Sequence, residues 1–143
     1  MFIMKLPHLI THPLFLILCF LCILIDGEKI GGFYFFYILL GLIHGGIYAM
    51  LAIFGIVLLL FNYAKYRDAV SHPIRAVLNI GGVVLLFASL FSFFYQDMGH
   101  YNYQTFYDSV SLSVFYFFLL IALLFLIKNF LSLVTGLIKC KRL

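Results

Sequence analysis

From Ile30 to Phe61 no formal charge interrupts the chain, and the same holds from Leu6 to Ile25, from Ala76 to Gln96 and from Ser109 to Ile127. Runs of this length do not alternate polar and apolar residues as the strands of a membrane β-barrel do. Inside lipid, helices satisfy every backbone polar group within one segment. Composition agrees: 66% of the residues are hydrophobic and 10% are charged, against about a quarter charged in an ordinary soluble domain. Too few polar residues remain to cover a water-facing surface. The sequence therefore predicts an all-α integral membrane protein with four transmembrane helices in a single domain, residues 1–143, and a short amphipathic C-terminal extension.

A hydrocarbon layer of about 30 Å takes roughly 20 residues of helix. The first expected span is Leu9 to Ile25, ended by Asp26-Gly27-Glu28-Lys29. No small-x-small site precedes Asp26, so the segment reads as an uncleaved anchor. The second, Ile30 to Phe61, is too long for a perpendicular crossing and should tilt, project or bend at Gly45-Gly46. Asn62 to Pro73 is a polar loop. The third span is Ile74 to Phe94, with Pro73 suited to its first turn. Asp108, Ser109 or Ser111 can cap the fourth, which runs from Val110 to Ile127. Beyond it Lys128, Ser132, Thr135 and Lys139 fall on one helical face and Phe130, Leu131, Val134, Leu137 and Ile138 on the other. That pattern marks an amphipathic tail over 128–139 at the headgroup boundary.

The net charge of +4 comes from basic residues at segment ends. Membrane topology explains them, and no basic stripe with interleaved aromatics points to nucleic acid. With the amino terminus inside, Lys5, Lys65, Arg67, Arg75, Lys128, Lys139, Lys141 and Arg142 are cytoplasmic and Lys29 alone is outside. The expected location is a bacterial-type inner membrane with both termini in the cytoplasm. Tyr34, Tyr37, Tyr63 and Tyr66 fit the two interfacial aromatic belts.

Polar residues within spans are the candidate sites. His44 and Tyr48 are one helical turn apart, and Asn79 in the third span is expected at the level of Tyr48 or slightly below it. The three form a candidate intramembrane polar site, either a hydrogen-bonded helix contact or a proton- or ligand-handling group. Gly41, Gly45 and Ala49 follow small-xxx-small spacing, and with Gly81 and Gly82 they are the expected helix-packing positions. Asp26, Glu28, Asp97, His100 and Asp108 gather in the outer loops as a candidate polar cluster. Loops tolerate acids there, and Asp97-x-x-His100 is a common accidental spacing, so no metal is assigned. Cys19-x-x-Cys22 has the spacing of a redox pair but lies in an apolar run, where cysteines act as small hydrophobes.

No Gly-rich phosphate loop, zinc-protease motif or nucleophile elbow occurs, so no catalytic residue and no cofactor is assigned. The expected function is non-enzymatic: helix–helix association as a homo-oligomer or accessory subunit, with the bilayer and other membrane subunits as partners. The alternatives are a small oligomeric transporter or channel using His44, Tyr48 and Asn79, and a quinone-linked membrane redox protein using Cys19 and Cys22.

Overall fold

The computed structural model describes residues 11–28, 31–65, 73–97 and 99–140. It is helical throughout, apart from one short pair of strands. Helix α1 spans Pro13–Leu21, α2 Tyr34–Ile43, α3 Ile47–Lys65, α4 Pro73–Gln96 and α5 Ser109–Cys140. Strands β1 (Leu24–Ile25) and β2 (Gly32–Phe33) pair antiparallel, Leu24 opposite Phe33 and Ile25 opposite Gly32. A 3-10 turn, Tyr103–Phe106, lies between α4 and α5.

Three helices are long and apolar enough to cross a membrane: Ile47–Lys65, Pro73–Gln96 and the Ser109–Gly136 portion of α5. Tyr34–Ile43 is a shorter apolar helix. The first expected span, Leu9 to Ile25, takes a different form. Its described part is a nine-residue helix followed by a strand. Pro13 opens α1, with the His12 side chain accepting the Leu14 N–H at 3.3 Å. The helix stops at Leu21 because the β-branched residues Ile23 and Ile25 extend the chain towards β2, and Tyr34 N–H donates to Ile23 C=O at 2.7 Å. The second expected span, Ile30 to Phe61, is divided into α2 and α3. The tail over 128–139 is not a separate segment, since α5 continues in line through Cys140. Neither Pro nor an αL glycine interrupts it, and Asn129 Nδ2 closes back on Phe125 C=O at 2.8 Å.

Helix α4 runs antiparallel to both α3 and α5. Tyr48, Gly55 and Asn62 of α3 meet Ser89, Gly82 and Asn79 of α4 in turn. Asn79 and Phe87 of α4 meet Asn129 and Phe118 of α5. The closest approach is α3 on α4, where a Cβ on Gly55 would lie 3.0 Å from Gly82 O and one on Gly82 would lie 2.6 Å from Leu59 Cγ. Ala49, Ala52, Gly55, Leu59 and Asn62 form the buried stripe of α3 at three- and four-residue spacing. Phe20, Tyr34, Leu86, Phe118 and Phe125 fill the centre. Large apolar side chains also point outward from every helix, among them Leu18, Phe36, Phe54, Val57, Val84, Phe91 and Leu123.

Candidate functional site

The division between α2 and α3 is a helix stop of defined geometry. His44 is the C-cap of α2 and Gly45 follows at φ 72°, the left-handed conformation that glycine adopts without penalty. Gly46 N–H donates to Gly41 C=O at 2.7 Å, the six-to-one bond of a Schellman motif. His44 Nδ1 lies 2.8 Å from Leu40 O. A carbonyl oxygen only accepts, so Nδ1 carries the proton in this contact. The Tyr48 ring lies over the stop, since a Cβ on Gly41 would meet it at 2.6 Å and one on Gly46 at 2.8 Å. Gly41, Gly45 and Ala49 consequently do not share one helix face, because their spacing presumed an unbroken helix. Gly41 is covered by the chain's own Tyr48, Ala49 is buried against the core, and Gly45 is exposed with nothing near its Cβ position. Gly82 sits in the α3–α4 seam, whereas Gly81 beside it makes ordinary contact, 3.7 Å to Leu58 Cδ2.

Behind the stop runs a chain of hydroxyls. Tyr34 Oη and Ser89 Oγ are 2.9 Å apart, Ser89 donates to Tyr48 C=O at 2.7 Å, and Tyr48 Oη donates to Tyr37 C=O at 3.1 Å. The donation to Tyr48 uses the Ser89 proton, so Tyr34 is the donor to Ser89. Phe93 is the apolar counterpart, with the rings of Tyr34, Tyr37 and Tyr48 each 5.2 Å from its own. Both ends of the broken segment are thereby fixed to α4.

Asn79 belongs elsewhere. Ser89, not Asn79, is level with Tyr48, and ten residues of helix put Asn79 about 15 Å away along α4. There it joins Asn62 of α3 and Asn129 of α5 in a buried amide ladder. Asn62 Nδ2 donates to Arg75 C=O at 2.9 Å and to Asn79 Oδ1 at 2.5 Å, and Asn79 Nδ2 donates to Asn129 Oδ1 at 2.6 Å. Asn129 then closes on Phe125 C=O. Each amide donates in the same direction, which leaves Asn62 Oδ1 at one end, buried and without a hydrogen-bond partner among the described residues. His44 and Tyr48 thus group around the helix stop, and Asn79 around the ladder.

At the rim of the ladder, Lys128 Nζ donates to Thr11 Oγ1 at 2.8 Å, and the His12 ring stands edge-on to Tyr63 with centroids 4.8 Å apart. Arg75 is one turn before Asn79, and Lys128 directly precedes Asn129.

The loop residues at the other end are structural in their contacts. Asp108 Oδ2 accepts the Ser111 N–H at 2.8 Å and caps α5, and that bond holds its carboxyl below the usual carboxylate range. Asp97 Oδ2 accepts the Asn102 N–H at 2.7 Å. His100, at φ 54°, lays its ring edge-on to Tyr103 at 4.5 Å. Asp26 N–H donates to Thr105 Oγ1, and Glu28 N–H donates to Tyr101 C=O. The two loops are thus tied together through backbone, and among the described residues no three His, Cys, Asp or Glu side chains converge as a metal site. Cys19 is buried in α1 and Cys22 is exposed at its end, both as free thiols.

Asn129 and Gly55 are not among the contact residues expected from the sequence, which suggests an interfacial belt for Tyr34 and the polar loop for Asn62, whereas both are fully buried, Asn62 within α3. The signal for the asparagines was present: each is a carboxamide at the edge of an apolar run, where an unpaired amide is costly. No protein-family model, curated protein or solved structure matches the chain.

Proposed function

We propose that this chain is a polytopic protein of a bacterial-type inner membrane, inserted by four segments with both termini cytoplasmic. We infer that it acts by helix–helix association, as a homo-oligomer or as an accessory subunit. The membrane reading is supported by three apolar helices of spanning length whose outward side chains are also apolar. The association reading is carried by one observation, the exposed helix stop between α2 and α3.

Helix α4 has 24 residues, about 36 Å, and Ser89 lies about 7 Å from its midpoint. Because Ser89 bonds the Tyr48 backbone, a bilayer centred on α4 puts the stop inside the hydrocarbon layer of about 30 Å. In the first turn of α3, Ala49 and Met50 donate to Gly46 C=O, and the N–H groups of Ile47 and Tyr48 precede the intrahelical bonds. Irregular backbone at that depth persists where protein or a water-lined cavity covers it. Ile43 is 78% exposed and Ile47 61% exposed, with His44 and Gly45 open between them. A neighbouring helix seated there would supply the cover.

Cross-linking of an Ile43→Cys variant, with the native cysteines replaced, tests this in native membranes. A disulfide-linked dimer or a defined hetero-adduct is expected at Ile43 and not at Leu123→Cys on α5. A monomer at both positions would sink the association reading. A transporter would use the same stop, with His44 as its polar side chain. Proteoliposome flux that is unchanged by His44→Ala would count against that second reading.

A further inference from the structure

Helix α1 has nine residues, a length at which a helix is marginal by itself and depends on how its ends are held. One residue serves the whole first turn. Pro13 has no N–H to satisfy. The Leu14 N–H donates to His12 Nδ1 at 3.3 Å, and the Phe15 and Leu16 N–H groups donate to His12 C=O at 3.1 and 3.2 Å. Because Nδ1 accepts, the imidazole in this contact is neutral and carries its hydrogen on Nε2.

His12 and its neighbour also fasten the turn to the bundle. The His12 ring stands edge-on to Tyr63 of α3 with centroids 4.8 Å apart, and Thr11 Oγ1 accepts from Lys128 Nζ of α5 at 2.8 Å. Lys128 of α5, Arg75 of α4 and Tyr63 of α3 are the charged or titratable groups that bear on the ring among the described residues. A proton reaching the ring has only Nδ1 to take, the lone pair that accepts from Leu14. Donor then faces donor at the cap. The new charge also sits at the positive end of α1 and next to the residue that holds the Lys128 ammonium. All three effects oppose the bound turn. Ile17 and Phe20 are buried in the core further along, so protonation loosens the first turn and leaves the rest of α1 seated.

We propose that His12 is a pH-sensitive clasp: neutral, it holds the first turn of α1 against α3 and α5, and protonated, it lets that turn go and frees the Lys128 ammonium and the Tyr63 ring. Histidine is the side chain whose ordinary titration falls between pH 5 and 8. The clasped turn binds the neutral ring, whereas the released turn lets the ring protonate as it does in water. The clasp is therefore complete above about pH 6.5 and weakens as the pH falls below it. This device does not depend on the association reading.

Residue-resolved hydrogen exchange of the full chain in nanodiscs, from pH 8 to pH 4.5 and corrected for the intrinsic pH dependence of exchange, tests it. Protection of Leu14, Phe15 and Leu16 is expected to fall roughly fivefold between pH 7.5 and pH 5, the factor that loss of one N-cap implies. Amides in the middle of α4 should keep theirs. His12→Asn supplies an N-cap that does not titrate, and the turn should stay protected across the range. His12→Ala should leave it open at every pH. Lys128→Gln removes a neighbouring cation and should move the midpoint to higher pH. A flat wild-type profile, or a His12→Asn profile that keeps the transition, would overturn the proposal. Equal loss of protection in α4 would overturn it too, because acid would then be unfolding the whole bundle. An unmoved midpoint in Lys128→Gln would overturn the part given to Lys128.

Discussion

Asn79 occupies the middle of the ladder and is the residue on which its coupling depends, because it both accepts from Asn62 and donates to Asn129. Asn79→Leu is close to isosteric but strands one donor and one acceptor in a buried seam. Its expected cost is about 1–2 kcal/mol, between the penalty for an orphaned buried group and the smaller values measured between helices in membranes. Equilibrium unfolding in mixed detergent micelles checks it, and a value indistinguishable from wild type would mean the ladder carries no stability. At the other end, Asp108 gives a pH prediction. Its folded-state pKa lies below the unfolded one because the Ser111 N–H favours the carboxylate. The cap's contribution is therefore complete above about pH 4 and is lost as the pH falls through the lowered folded value. Acid titration of helicity should show a loss that Asp108→Asn, an uncharged cap, does not share. Neither asparagine pairing nor capping partner could be read from residue type alone. The sequence marks a polar group in an apolar run, and the partner depends on how each helix is rotated.

Adjacent glycines separate the effects at the scale of the element. Gly82→Ala places a methyl 2.6 Å from Leu59 Cγ in the α3–α4 seam, whereas Gly81→Ala meets Leu58 at 3.7 Å. The first should destabilise by about 1–3 kcal/mol through overpacking. The second should be neutral or stabilising by up to about 1 kcal/mol, since alanine favours the helix. If the same unfolding measurement gave equal effects, α3 and α4 would not approach as described. Gly45→Ala has space but not the backbone, and at φ 72° it should cost about 1 kcal/mol or slightly more. The apolar runs made α3, α4 and the start of α5 legible within a few residues. They did not reveal α1's short length, because the β-branched residues that turn it into a strand are as apolar as those of a helix. They marked Gly45-Gly46 as a bend without choosing between bend and tilt. The chain bends, with Gly45 at φ 72° and the Tyr48 ring over Gly41 and Gly46.

At the scale of the whole molecule, the loops around residues 26–33 and 97–108 are fastened to one another, and the amide ladder lies at the opposite end of the bundle. If the chain is inserted as proposed, Glu28→Cys and His100→Cys should both react with an impermeant thiol reagent from outside the cell. Cys140 should react only after the membrane is opened. Labelling of Glu28→Cys and His100→Cys from opposite faces would break the four-segment arrangement.

What the sequence determined by itself is the class of molecule. Long uncharged runs leave only helices, and basic residues at their ends with acids in alternate loops bias one end of the bundle towards the other sign of charge. That information is one-dimensional, and hydrophobicity needs nothing more. Which polar groups meet is a different matter. Helical periodicity assigns a residue to a face, but the partner is set by helix rotation, axial shift and breaks in the axis. A stop at Gly45 moved Tyr48 onto Gly41, put Ser89 level with Tyr48, and left Asn79 to the ladder with Asn62 and Asn129. Those relations came into being only when the helices packed, because close approach at Gly55 and Gly82 sets the register in which every other pair is formed.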